Sequence, residues 1–94
     1  MLARVSQSAV VELECLSARG ARVLGHLNLV RGESIKMMID LEGHPLAISA
    51  HVLRVEPGPD GRDRYAVAFR DVPSIVQGWI DRFVSRSMER QRLK

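Results

Sequence analysis

The run Cys15-Leu16-Ser17-Ala18-Arg19-Gly20-Ala21-Arg22-Val23 holds the densest set of groups that could grip a ligand. Ser17 is a small hydroxyl residue and Gly20 follows three positions later, a spacing that suits a tight turn with its backbone N–H groups exposed. Arg19 sits inside that turn and Arg22 just beyond it. N–H donors and guanidinium forks both favour phosphate, so the chemistry on offer is reversible anion binding. The same residues also describe an ordinary hairpin corner with a structural Gly20 and a solvated Arg19. Taken locally, they favour that plainer reading.

Other reactive groups are scattered. His26, His44 and His51 are eighteen and seven positions apart, with no cysteine, histidine or carboxylate cluster at metal-ligand spacing. Ser17 has no G-x-S-x-G elbow and no evident acid–histidine pair, so it is not read as a nucleophile. Cys15 falls on the apolar phase of its segment and is expected as a small core residue. Trp79 and Phe83 are expected as core anchors, with display of Trp79 to a partner as the alternative. Arg82, Arg86, Arg90 and Arg92 make a basic helix end, read as a solvated face first and a surface for an acidic partner second. Met38, on the polar side of its segment, hints at an interaction surface. No enzyme activity, metal or cofactor is expected.

The whole chain bounds these readings. Ninety-four residues make one small domain, expected over 1–94, too small for a cofactor domain beside a substrate domain. Aromatic residues are 4% of the chain, so the core must be aliphatic. A net charge of +3 is too slight to announce a nucleic-acid binder, and few aromatics are present to stack bases. No apolar run approaches the ~20 residues of a membrane span, and Met1–Ser8 lacks the apolar stretch of a secretory leader. With a single cysteine, no internal disulfide forms, and a cytoplasmic setting is the expectation.

The elements that must position the turn read clearly. Ile35, Met37, Ile39 and Leu41 alternate with Lys36, Met38 and Asp40, the period of a strand buried on one face. Ala9–Cys15, a piece opening at Gly20, Leu46–Val52 and Arg64–Phe69 repeat the pattern. After Val52 the apolar phase slips to Leu53 and Val55, which predicts a bulge or sharp bend. Glu42-Gly43-His44-Pro45 and Pro57-Gly58-Pro59-Asp60-Gly61 supply turn chemistry between strands. From Asp71 the rhythm becomes i, i+3, i+4 through Ile75, Val76, Trp79, Ile80, Phe83, Val84 and Met88. Asp71 is a plausible cap, Pro73 suits the first turn, and the last five or six residues are expected to fray. The expectation is a mainly β fold: a small antiparallel barrel of five to six strands over about 9–70, then one amphipathic C-terminal helix over about 73–90.

This order of motif, strands, Pro/Gly hairpin, Val67-Ala68-Phe69 strand and terminal helix, from about Ala9 to Val84, resembles the PilZ family of bacterial cyclic di-GMP receptor domains. The family's second motif is Asp or Asn, then x-Ser-x-x-Gly, at this strand turn. Ser17 and Gly20 match it, and Cys15 stands where the family keeps Asp or Asn. The family's first motif, R-x-x-x-R, has no counterpart, because Arg4 is the only arginine before Cys15. The resemblance implies a divergent PilZ-like regulatory domain in cyclic di-GMP signalling. Nucleotide would bind weakly or not at all at the Ser17–Gly20 turn, with Arg19 and Arg22 lending charge. Family members usually carry a strand before the one at Ala9–Cys15, so an open sheet edge is expected there. Such an edge is either blunted by Glu12 and Glu14 or paired with a protein partner or a second copy. The alternative function is therefore an interaction adaptor that works through that edge or through the basic helix and binds no nucleotide. Partner, output pathway, oligomeric state and whether the chain is a whole protein are not written in these residues.

Overall fold

A computed structural model describes residues 2–5 and 9–92. Six strands and one helix follow in order: β1 Leu2–Val5, β2 Ala9–Leu16, β3 Gly20–Gly25, β4 Ser34–Leu41, β5 His44–Pro57, β6 Asp63–Arg70 and α1 Ser74–Arg92, with a short 3₁₀ turn at Pro59–Gly61 before β6. All six strands pair antiparallel into a closed barrel in the spatial order β1-β2-β3-β6-β5-β4.

Alternation explains the barrel. In β4 every second residue is buried, and Ile35, Met37, Ile39 and Leu41 point inward. The β4–β5 connection is a two-residue turn in which Glu42 and Gly43 both have positive φ, the geometry that suits strand twist. Asp40 Oδ1 accepts a hydrogen bond from the Gly43 N–H at 2.9 Å and holds the turn. Pro45 lies in the part of β5 that pairs with β4 alone, so its missing donor breaks no β5–β6 ladder. Further along, the β5–β6 register shifts between Val52 and Arg54, which is the bulge the slipped phase predicts. There β5 leaves β4 and runs on with β6. Leu53 and Val55, the shifted apolar pair, lie exposed rather than inward.

Helix α1 seals one end of the barrel. Ile80 is wholly buried in the core, and Val76, Trp79, Phe83 and Val84 pack around it. Ile75, assigned by its spacing to the same stripe, is 67% exposed. The helix starts at Ser74, beside the expected Pro73, but without the expected cap. Asp71 takes a positive φ in the connection, and the Pro73 carbonyl accepts the Gln77 N–H at 2.9 Å, so Asp71 does not cap it. The helix continues through Arg92, past the point where the last five or six residues are expected to fray, while the Met88 and Arg90 side chains and residues 93–94 fall outside the described residues.

Two expectations are corrected. The open edge does not exist: β1, only four residues long, pairs with β2 on one side and β4 on the other and closes the barrel. Cys15 is not a core residue but exposed, because the β2–β3 register shifts between Leu13 and Cys15 and throws the alternation out of phase.

Candidate functional site

Hydrogen bonds that consume its acceptors build the turn between β2 and β3. The Ser17 N–H donates to the Gly20 carbonyl at 2.9 Å, and Ser17 Oγ donates to the same oxygen at 3.1 Å. The Phe69 N–H donates to the Arg19 carbonyl at 2.8 Å, and Gln77 Nε2 on α1 donates to the Ala18 carbonyl at 2.7 Å. Three consecutive carbonyls are thus engaged by protein donors from three places in the fold. Oxygens that would repel an anion are occupied, and the Arg19 side chain stands exposed beside the Ser17 hydroxyl. The Ser17 N–H is spent inside the turn rather than offered to a ligand.

Gly20 is required by close approach. A Cβ there would lie 2.3 Å from the Val67 carbonyl oxygen of β6, so no side chain fits without moving backbone. The small residue also opens the outer surface. Gly20 pairs with Ala68, and in the adjacent row Cys15, Arg22, Ala66 and Arg54 lie side by side across β2, β3, β6 and β5. Ser17, Arg19, Arg22 and Arg54 surround a shallow groove of about 400 Å³ floored by Gly20, Ala66 and Ala68. Arg22 and Arg54 are two strands apart, roughly 10 Å between their backbones, with only an alanine between them.

The charges around this groove are arranged unequally. Arg54 Nε lies 2.5 Å from Glu56, in a pair whose side chains are 66% and 44% exposed. A pair so hydrated is readily exchanged for another anion. Glu14 is engaged more firmly: Arg64 grips both its carboxylate oxygens at 2.7 and 3.1 Å. That hydrogen-bonded guanidinium holds the Glu14 carboxyl below its ordinary value against a smaller opposing effect of desolvation, with Arg22 adding attraction. The same pairing raises Arg64. Arg64 thereby neutralises a carboxylate that also attracts Arg22.

The structure brings Ser17, Arg19, Gly20 and Arg22 together, as their spacing suggested, and adds Cys15 at the rim. The other candidates lie elsewhere. Glu12 faces Arg62 at 3.4 Å, and with Glu14 it sits in ion pairs rather than along an edge. Met38 is exposed on the far side of β4 from the core. Arg86 pairs with Glu42 at 2.7 Å, and Arg82 lines a small depression of about 110 Å³ beside Trp79, whose ring lies 5.1 Å from that of His44. Two residues escaped the sequence reading. Arg54 follows the bulge that obscures which way it faces, and Gln77 reads as one more polar residue on a helix surface. Among the described residues no cluster could hold a metal ion, and no helix is long and apolar enough to cross a membrane.

Comparison with known proteins adds the following. A family model described as the PilZ domain matches residues 4–86. No curated protein matches the chain. Among solved structures, the Bacillus subtilis inhibitor of motility (MotI/DgrA) superposes with a TM-score of 0.75 at 20% identity, over 94% of this chain and 46% of that one. The chain thus spans about half the length of that protein, and the likeness between them is one of fold.

Proposed function

The chain belongs to the PilZ domain family, and on that premise we propose that it is a non-enzymatic regulatory domain whose Ser17–Gly20 groove binds cyclic di-GMP weakly. One observation carries the reading: Arg22 and Arg54 flank Ala66 in a single row, with Arg19 and Ser17 at the head of the same groove. A cyclic dinucleotide presents two phosphodiesters and two flat bases. Guanidinium forks match phosphate oxygens, and the Gly20–Ala66–Ala68 floor lets a flat ring approach the sheet. Weak binding follows from exposure, because Arg19, Arg22 and Arg54 all face solvent, where salt screens them.

The adaptor alternative loses the edge it was to use, since β1 occupies that place. Its basic helix sets Arg82 and Arg86 beside a depression of only about 110 Å³, against about 400 Å³ at the Ser17–Gly20 groove. Nucleotide binding is therefore the reading the geometry favours.

Calorimetry with cyclic di-GMP at low salt tests it, beside the alkylation rate of Cys15 at the groove rim. The expected result is a measurable heat, slower alkylation with ligand present, and roughly tenfold weaker binding in Arg54→Ala. No heat and no change in melting temperature for the folded protein would overturn the reading. So would binding that Arg54→Ala leaves untouched.

A further inference from the structure

On the outside of the barrel where β1 joins β4 and β2, the register sets Leu2 beside Glu12, and Met38, Arg4 and Val10 in the adjacent row; Asp40 lies one step past the last β1–β4 pair, on the Leu2 side, and lines the same depression as Leu2. Leu2, Val10 and Met38 are 63%, 57% and 43% exposed and border a depression of about 360 Å³. Scattered exposed apolar residues are ordinary, but three gathered around one arginine make a patch. Among the described residues Arg4 takes part in no ion pair, whereas two carboxylates stand in the adjacent row: Glu12 in a loose, half-exposed 3.4 Å pair with Arg62, and Asp40 with one oxygen on the Gly43 N–H. We propose that this face pairs two copies of the chain.

Charge pattern selects the occupant and its orientation. A two-fold axis running across the strands between the two rows lays each row on the other row of the second copy. Leu2 then seats on the partner's Met38–Arg4–Val10 row, and Asp40 and Glu12 close on the partner's Arg4 from both sides. Every contact occurs twice, as an isologous interface requires. The other two-fold direction, along the strands, would set Arg4 against Arg4 and is excluded by repulsion. Apolar groups around a cation flanked by carboxylates therefore complement themselves. The patch is small, so the dimer is weak and depends on concentration and salt.

Sedimentation velocity on the chain, from ~10 to ~500 µM at low salt and again at about 0.5 M salt, reads the proposal directly. The expected result is a sedimentation coefficient that rises with concentration and falls back with salt. Arg4→Glu should weaken association at least tenfold, and Arg4→Glu/Glu12→Arg should recover part of it. Val10→Glu sets carboxylate against the partner's Glu12 across the axis and also engages Arg4 within its own chain, so it should abolish association. All three positions are solvent-exposed, and melting curves confirm that each variant is folded. A wild-type chain that stays monomeric at the highest concentration in low salt overturns the proposal and leaves the face to an unlike partner. Association that neither Arg4→Glu nor Val10→Glu disturbs overturns it as well.

Discussion

Two outer faces of one barrel carry arginines in opposite company. On β3, β6 and β5, Arg22 and Arg54 stand over Gly20, Ala66 and Ala68, where small residues leave a trough and the guanidinium groups are its charged walls. On β4, β1 and β2, Arg4 stands among Leu2, Val10 and Met38, where exposed apolar side chains surround the charge. The residue type is the same and the consequence differs. Beside alanines an arginine presents its planar fork to a small flat anion. Among aliphatic groups it becomes the polar centre of a surface shaped for another protein.

The most severe way to break the contrast is Gly20→Ala. Its Cβ would collide with the Val67 carbonyl, and the cost is on the order of 3 kcal/mol, read by urea unfolding, with nucleotide response lost in whatever remains folded. A variant as stable as the wild type would show that the close approach of β3 to β6 is not what the turn depends on. Crossing the two earlier tests comes next: Arg54→Ala should weaken nucleotide binding and leave self-association unchanged, and Arg4→Glu should do the reverse. Joint loss in either variant would merge the two faces into one site. A smaller effect is expected of Gln77→Ala, which strips the donor from the Ala18 carbonyl and costs about 1 kcal/mol. Amide exchange should quicken in the first turns of α1 and around Ser17, but not in β1 or β4.

Smallest is the effect of Glu14→Gln. The folded carboxyl is held below its ordinary value by Arg64, so its contribution is fully present above the unfolded value of roughly 4.3 and is lost as pH falls through the folded one. The difference in melting temperature between wild type and variant should therefore be a degree or two at neutral pH and vanish in acid. A difference that persists below the folded value would point to a packing role for Glu14 instead.

What could be read in the sequence followed from one-sided burial. Ser34–Leu41 has every second residue inward, so its alternation survives translation into structure without loss. The same logic failed at Cys15, because one register shift after Leu13 inverts every inference drawn from alternation beyond it. It failed at β1 for another reason. Four residues are too few to display a period, and their role depends on two strands distant in sequence. Of the groove, Ser17, Arg19, Gly20 and Arg22 were legible because they are neighbours in the chain. Arg54 was not, since only the β5–β6 and β3–β6 registers bring it within reach of Arg22.

Closure by so short a strand has a consequence for how the molecule fails. Every other stave of the barrel is six residues or longer, while β1 contributes four. Local opening in proteins starts where the fewest buried groups must be released. Release of Ala3 and Val5 would unzip both sides of the cylinder together and bare the strand edges of β2 and β4 at once. Those edges match the β1 of any neighbouring copy as well as their own. The shortest strand thus governs whether a crowded solution of this protein remains a population of closed barrels or begins to exchange strands between molecules.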